Sequence, residues 1–307
     1  MSVTGILEQG RAIGETLKKC ASSVQELGGA RWTFSLGKGT RIPANARVDE
    51  GWLTLDAADG GNEEDRPVQG GHLWNMLLAN AWANGAARPV LNLRDGTIHA
   101  RADIALDEDL DVSEAVARAC QDCVAVLKRK VFAADRGSVS PQEQGDSEVG
   151  ITPASADLQR LLREAGWPVV ERAGGRLSVE LDVPKESHHA VIAPRENEGF
   201  DAIVVILGPC ALGPVSRTAL ARMLLEACGL LRMVRPVARE RGEEAVVSLE
   251  TAIDARPASS ESVIHALSAL SVACRFCARE ARALQVEGVA REYLNDRGGL
   301  GGRSGEA

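Results

Sequence analysis

Hydrophobic positions along the chain change from a helical period to a period of two and back again. A first stripe at helical spacing predicts a helix over residues 4–27. It consists of Ile6, Ile13, Leu17, Cys20, Val24 and Leu27. Alternation follows over 32–36, 42–48 and 52–55, which predicts three short antiparallel strands joined by tight turns.

Residues 72–131 contain two segments with the helical period, separated by a predicted strand hairpin. A helix is predicted over 72–84 and should end at Asn84-Gly85, because glycine takes a left-handed conformation without steric cost. Asp95-Gly96 then predicts a hairpin turn between two strands. Asp111 and Glu114 resemble a capping box that starts the last helix of this half.

The same order returns after a polar stretch. Helices are predicted at 157–165, 216–234 and 261–284, and strands at 169–172, 176–183, 189–192, 202–207 and 245–253. Residues 232–243 are charged and contain Pro236, so no strand is predicted there. The predicted organisation is a first unit over 1–135, a flexible linker over 136–156, a second unit over 157–285 and a mobile C-terminal tail over 286–307.

The length, net charge and cysteine count of the chain restrict the class of protein. The 307 residues carry a formal charge of −8, which argues against a nucleic-acid partner. No run of apolar residues is long enough to predict a membrane span, and the N-terminus does not resemble a secretory signal. Seven cysteines, an odd number, suggest reduced thiols and a cytoplasmic protein.

Two Cys-x-x-Cys pairs are the strongest candidates for chemistry. Cys120 with Cys123 and Cys274 with Cys277 would match the ligand count of a four-thiolate zinc site. Both pairs, however, lie on the apolar stripes of predicted helices, where cysteine packs as a small hydrophobe. Core packing is the favoured interpretation, and a metal or redox site is the alternative. No metal or cofactor is predicted.

Other motifs do not indicate an enzyme. Gly37-Lys38-Gly39-Thr40 lacks the spacing of a phosphate loop and leads into a strand. His188 and His189 are neighbours at the start of a predicted strand, where successive side chains point to opposite faces, so their rings do not share a metal easily. The chain has no Gly-x-Ser-x-Gly motif.

The segment LWNMLLANAWANGAARPVLNLRDGTIHARADIALDEDLDVSEAVARACQDCVAVL resembles the second half of a class I type III secretion chaperone. LLREAGWPVVERAGGRLSVEL and FDAIVVIL are similar to the opening of the related bacterial regulator-like domains of the same fold. The resemblance implies an α+β fold of two tandem units, each ordered helix, antiparallel strands, helix, strand hairpin, helix. It also implies a non-catalytic chaperone or adaptor that holds an extended segment of a partner protein.

Two sets of site residues follow from this reading. Trp32, Phe34 and Leu36 are either core or a groove for the partner segment, since family members hold such segments along the sheet. In the resembled chaperones the middle helix and its neighbouring strands form the dimer contact. We therefore expect the middle helices to meet, as a pseudo-dimer within one chain or as a homodimer between chains, because both have surplus apolar surface. The contact residues predicted are Trp74, Leu78, Trp82, Met223, Leu224 and Leu231.

Two alternatives to the chaperone function stay open on the sequence. One is a structural or regulatory protein that uses the same fold only for assembly. The other is a metal or thiol site built from the Cys-x-x-Cys pairs.

Overall fold

The structure is a computed structural model. It describes residues 3–37, 41–58, 70–81, 87–92, 96–106, 110–135, 153–172, 175–184, 186–195, 199–254 and 260–297. Within these ranges the chain forms seven helices and two antiparallel sheets of six strands each. The predicted α+β class, with two units in tandem, is confirmed.

The first unit is built on one sheet. Its elements are α1 (Val3–Cys20), β1 (Ser22–Glu26), β2 (Arg31–Leu36), β3 (Ile42–Asp49), β4 (Trp52–Ala58), α2 (Gly70–Asn80), β5 (Arg88–Leu91), β6 (Ile98–Ala105) and α3 (Val112–Asp135). The strand order across the sheet is β1-β2-β3-β4-β6-β5. The last two strands of the unit, β5 and β6, form its late hairpin, in which β6 pairs with β4 and β5 lies at the end of the sheet.

The second unit repeats this design and adds one helix. Its elements are α4 (Pro153–Glu164), β7 (Val169–Glu171), β8 (Leu177–Leu181), β9 (His188–Arg195), β10 (Gly199–Ala211), α5 (Pro214–Leu230), β11 (Arg235–Arg241), β12 (Glu244–Asp254), α6 (Ser260–Ala283) and α7 (Glu287–Asp296). The strand order, β7-β8-β9-β10-β12-β11, matches that of the first sheet position by position. The late hairpin of the second unit consists of β11 and β12.

Each unit uses two helices to cover one face of its sheet. In the first unit, the core-facing positions of β2, β3 and β4 alternate with polar ones, and α1 and α3 pack over them. In the second unit, α6 packs on β8, β10 and β12, and α4 packs beside it. The strict alternation fixes the register, because a shift of one residue would expose every core side chain.

The first helix is shorter than predicted. The predicted helix 4–27 ends at Cys20, and Ser22–Glu26 forms the edge strand β1 instead. Val24 and Leu27 continue the helical spacing, but Ser23 has a positive φ of 55° that no helix accommodates. Each unit thus has four strands before its middle helix.

Three further boundaries differ from the predictions. Residues 235–241 form β11 although they are charged and contain Pro236, because proline is tolerated in a strand at the sheet end. The predicted tail over 286–307 begins with α7, which packs against α5 with Ala290 buried. The predicted linker over 136–156 overlaps α4, which starts at Pro153; residues 136–152 and 298–307 lie outside the described residues.

Helix α6 has the length and composition of a membrane-crossing helix over Glu261–Ala283. Half of that stretch is buried inside the protein, however, and the core helix of a soluble domain shows the same features. The stretch is therefore weak evidence for a membrane span.

Candidate functional site

The two units meet through their middle helices. Helix α2 packs against α5 and also against β11, while α5 packs against β5, so each helix contacts the late hairpin of the other unit. Leu73, Met76 and Leu77 of α2 belong to the same hydrophobic cluster as the second unit's core. The contact is reciprocal, because the middle helix of each unit packs against the other unit, as in a two-fold dimer interface.

The predicted contact residues can be placed in this junction. Trp74 is buried, and its indole N–H donates to Glu240 Oε1 at 2.9 Å. The guanidinium of Arg217 lies 5.7 Å from the centre of the Trp74 ring and pairs with Glu240 at 3.0 Å. The same cluster includes Met223 and Leu224 as buried members, with Leu78 and Leu231 partly buried against it. Trp82 lies outside the described residues.

A buried ion pair in the first unit holds the end of α5. Arg88 donates through Nη2 to the carbonyl oxygens of Leu231 at 2.5 Å and Cys228 at 3.3 Å. The same nitrogen lies 2.6 Å from Asp103 Oδ2, and the two side chains are only 1% and 3% exposed. Helices leave their last carbonyls without partners, so this arginine satisfies acceptors that burial would otherwise orphan.

Asp103 extends the contact to the turn after α5. The backbone N–H of Met233 donates to Asp103 Oδ2 at 3.2 Å, and Met233 has a positive φ of 62°. Burial alone would raise the pKa of Asp103. The Arg88 guanidinium and the hydrogen bonds from Met233 and Thr54 outweigh that effect and lower the pKa below its ordinary value.

A second carboxylate, Asp56, supports the same junction from a neighbouring cross-strand pair of β4 and β6. Asp56 binds Arg101 at 2.6 Å and lies 2.5 Å from His99 Nδ1, and Arg101 also donates to the carbonyl of Gly229 at the end of α5. Burial raises the pKa of Asp56, but the hydrogen bond to His99 and the charge of Arg101 lower it below the ordinary value. Both acids are therefore charged at neutral pH.

The second unit contains a matching arginine. Arg235 begins β11 as Arg88 begins β5, and it lies 3.2 Å from Asp201 Oδ1 and 3.4 Å from Glu250 Oε2. On the same side, Asn80 at the end of α2 donates to the carbonyl of Pro236 at 2.8 Å. The middle helix of each unit thus ends on the Arg-Pro-Val start of the other unit's hairpin.

The sequence contains a signal for this pairing that the predictions missed. Met-Leu-Leu occurs at 76–78 and 223–225, and Arg-Pro-Val occurs at 88–90 and 235–237, with the same spacing between the two motifs in each half. The two Cys-x-x-Cys pairs occupy corresponding places on α3 and α6. A search for internal repeats would have aligned the halves and pointed to both arginines.

Away from the junction, the outer face of the first sheet is open and basic. "Outer face" here means the face opposite the two covering helices. On β2 and β3 it consists of Arg31, Thr33, Ser35, Pro43, Asn45 and Arg47, and exposed Arg41 directly precedes β3. Arg31 and Arg47 are direct cross-strand partners. No acid lies on this face of β2 or of β3 before its last residue, Asp49.

The corresponding outer face of the second sheet is more apolar, although exposed Arg176 directly precedes β8. Its central row joins Ser178, Val191 and Ile203 across β8, β9 and β10. Val205 is 50% exposed, and the row beside it contains Glu180 and His189 as cross-strand partners. The shared fold therefore carries two different surfaces.

The free edges of the sheets lie far from the junction. β5 and β11, at one end of each sheet, are packed by α5 and α2 of the opposite unit. β1 and β7, at the other ends, pair with one neighbour each within the described residues. β1 is five residues long and mostly exposed, whereas β7 has three residues. The longer open edge adjoins the basic outer face.

The predicted partner groove is corrected by the structure. Trp32, Phe34 and Leu36 are 3%, 4% and 2% exposed and belong to the core under α1. The Trp32 ring also lies against Gly14 of that helix. These side chains alternate with the outer-face positions, so the accessible surface of the same strand is the opposite one.

The cysteine pairs face separate cores. Cys120 and Cys123 lie in the first unit's cluster and Cys274 and Cys277 in the second, so the four sulfurs do not converge. Burial raises the pKa of Cys120, Cys274 and Cys277 to about 12, which opposes thiolate formation. The part of the chain that the structure describes contains no group of three or more candidate metal ligands.

Comparison of the chain with known protein families, with curated proteins and with solved structures gives no match.

Proposed function

We propose that this chain is a non-catalytic, protein-binding chaperone or adaptor that holds an extended segment of a partner protein. The resemblance of the sequence to class I type III secretion chaperones supports this function, and we propose a cytoplasmic location with it. The observation that carries the proposal is the free β1 edge beside an uncovered sheet face. Extended segments bind such edges through main-chain hydrogen bonds and use alternate side chains for specificity.

The geometry of β1 defines which backbone groups are available. The N–H of Leu27 donates to Arg31 O, so in an antiparallel ladder the N–H of Glu26 points away from β2. Leu27 itself is exposed at the end of the strand and offers an apolar contact beside the edge. β1 is regular only from Gln25 onward, because its register shifts between Ser22 and Gln25, and β7 has three residues. The two edges therefore differ less in length than in the polar, basic face that adjoins β1.

The decisive experiment blocks the edge without changing the rest of the strand. Glu26→Pro removes an outward N–H, and Glu26→Ala, the matched control, removes only the side chain. Peptides selected from a random library on the native chain should lose at least about tenfold in affinity with Glu26→Pro and little with Glu26→Ala. If both variants bind as the native chain does, or if no peptide is selected, the proposal is wrong.

A structural or regulatory assembly role is the second candidate. It is favoured by the amount of buried polar structure at the junction, where Arg88 and Asp103 are almost fully buried. A pure assembly protein would bind no extended peptide at β1, so the same experiment separates the two candidates.

A further inference from the structure

The most unusual surface of the molecule is the arginine pair across β2 and β3. Arg31 and Arg47 face each other in register and both are exposed. Like charges directly opposite each other on a sheet are destabilising, and sheets more often place opposite charges there. A third arginine, the exposed Arg41, directly precedes β3.

These arginines have no acid of their own. Among the described residues, none of the three lies within ion-pair distance of a carboxylate, although Asp49 and Glu50 follow Arg47 closely in the sequence. The chain as a whole carries a charge of −8, so this face departs from the charge of the protein. The fold does not impose the pair: by the register that joins Ser178 to Val191, exposed Arg176 before β8 takes the place of Arg31, but Ala193 on β9 takes the place of Arg47.

We propose that Arg31, Arg41 and Arg47 bind an acidic, extended peptide segment along the outer face of β2 and β3. The inference rests on the proposed function and names the chemistry of the partner: one stretch of the partner pairs with the β1 edge, and an acidic stretch beside it lies over the outer face of β2 and β3. Guanidinium groups bind carboxylates through paired hydrogen bonds. Thr33, Ser35 and Asn45 between the arginines are short, so an extended chain can approach the sheet closely.

An acidic peptide fits this face better than a nucleic acid does. Single-stranded nucleic acids bind where aromatic rings stack with bases beside a long basic groove. On the described outer face of β1–β4 the only aromatic ring is Trp52, and it is already occupied. The guanidinium of Arg232 lies 5.2 Å from the centre of its ring, and His265 meets it edge-on at 5.1 Å.

The test uses the full chain and three probes. They are a labelled peptide of alternating glutamate and threonine, the same peptide with glutamine in place of glutamate, and a single-stranded oligothymidine. The glutamate peptide should bind at least about tenfold more tightly than the glutamine peptide, and the difference should shrink in about 0.5 M salt. Tighter binding of oligothymidine, or equal binding of the two peptides, would overturn the proposal.

Two variants locate the site. Arg31→Glu with Arg47→Glu should lower affinity for the glutamate peptide at least about tenfold, because attraction becomes repulsion. Arg275→Glu with Arg279→Glu changes the total charge equally on the exposed side of α6 and should leave the affinity within about twofold. Equal losses in the two double variants would assign the effect to net charge and overturn the site.

The single variant Arg47→Glu adds a readout that misfolding cannot imitate. It replaces the pair of positive charges at positions 31 and 47 by a pair of opposite charges. It should therefore raise the urea midpoint while it weakens binding of the glutamate peptide. A lower midpoint would contradict the argument. Library peptides that bind at β1 without any preference for acidic residues would overturn this inference and leave the proposed function standing.

Discussion

One outer-face row of each sheet begins at the junction and runs to the free edge. In the first sheet it consists of Arg88, Arg101, Asp56, Asn45 and Thr33, and in the second of Arg235, Glu250, Ile203, Val191 and Ser178. Only the arginine at the junction is identical. Farther out, the first row stays polar while the second becomes apolar.

The comparison separates two constraints on the same fold. At the junction, each arginine is buried beside a carboxylate, and replacing Arg88 would leave the buried charge of Asp103 without its ion-pair partner. Toward the free edges, most outer-face side chains contact solvent, Ser178 at 4% exposure being an exception, and side chains in contact with solvent can diverge with little loss of stability. The common part of the two units is therefore the part that joins them, and the divergent part is where we place binding.

The strongest way to break the comparison is to separate the units. Trp74→Asp places a charge beside Glu240 in a buried contact and should cost about 5 kcal/mol. We expect a larger radius of gyration by small-angle scattering with helical content retained. Trp74→Phe keeps an aromatic ring, smaller than indole, and loses the hydrogen bond to Glu240, at about 2 kcal/mol, so this variant should stay compact. An unchanged particle after Trp74→Asp would mean that this contact does not hold the units together.

The two junction arginines should not contribute equally. Arg88→Ala leaves Asp103 buried and should lower the free energy of unfolding by about 3–5 kcal/mol. Arg235→Ala leaves Glu250 with Arg239 at 2.5 Å and Ser248 at 2.9 Å, so about 2 kcal/mol is expected. Urea unfolding of the two variants measures the difference. Equal losses would contradict the asymmetry.

The secondary structure was predictable where one hydrophobic period, helical or alternating, dominates the sequence. It was not predictable where contacts between distant residues determine the element. Alternation located β2, β3, β4 and β12 closely. β11 was missed because residues 232–243 are charged and contain Pro236. The charge of Arg235 becomes compatible with a buried strand only through Asp201 and Glu250, which are distant in sequence. α7 was missed because glycine-rich sequence follows it, and because its docking on α5 involves Tyr293 and Arg297 around Glu226.

The candidate site was also predictable only in part. Alternation in β2 identified two faces but not which one the helices would cover, and Trp32, Phe34 and Leu36 belong to the covered face. The pairing of Arg31 with Arg47 depends on strand register. The hairpin turn does not reveal that register in the sequence alone.

Acidification should weaken the first-unit side of the junction. The pKa of Asp103 is lowered in the folded state, so its contribution to stability is complete above the unfolded value of about 3.9. That contribution is lost as the pH falls through the lower folded value. The urea midpoint of the native chain should therefore fall more steeply below about pH 4 than that of Arg88→Ala, in which this pair is already broken. Parallel pH profiles would contradict the role of Asp103.

Thiol labelling gives the smallest and most local test. Cys20 is exposed, whereas Cys123, Cys228 and Cys274 are buried and have a raised pKa because of that burial. A maleimide at neutral pH should modify Cys20 first and the three buried thiols only under denaturing conditions. Rapid modification of Cys123 and Cys274 in the folded chain would favour the redox alternative.

Hydrogen exchange with and without a library-selected peptide tests the central claim most directly. The claim is that the free edge of the first unit, and not the junction or the second unit, receives an extended partner. Binding should slow exchange of the Glu26 amide and its neighbours in β1 while leaving β7, β5 and β11 unchanged. Protection at β7 or at the junction strands, with none in β1, would contradict the account.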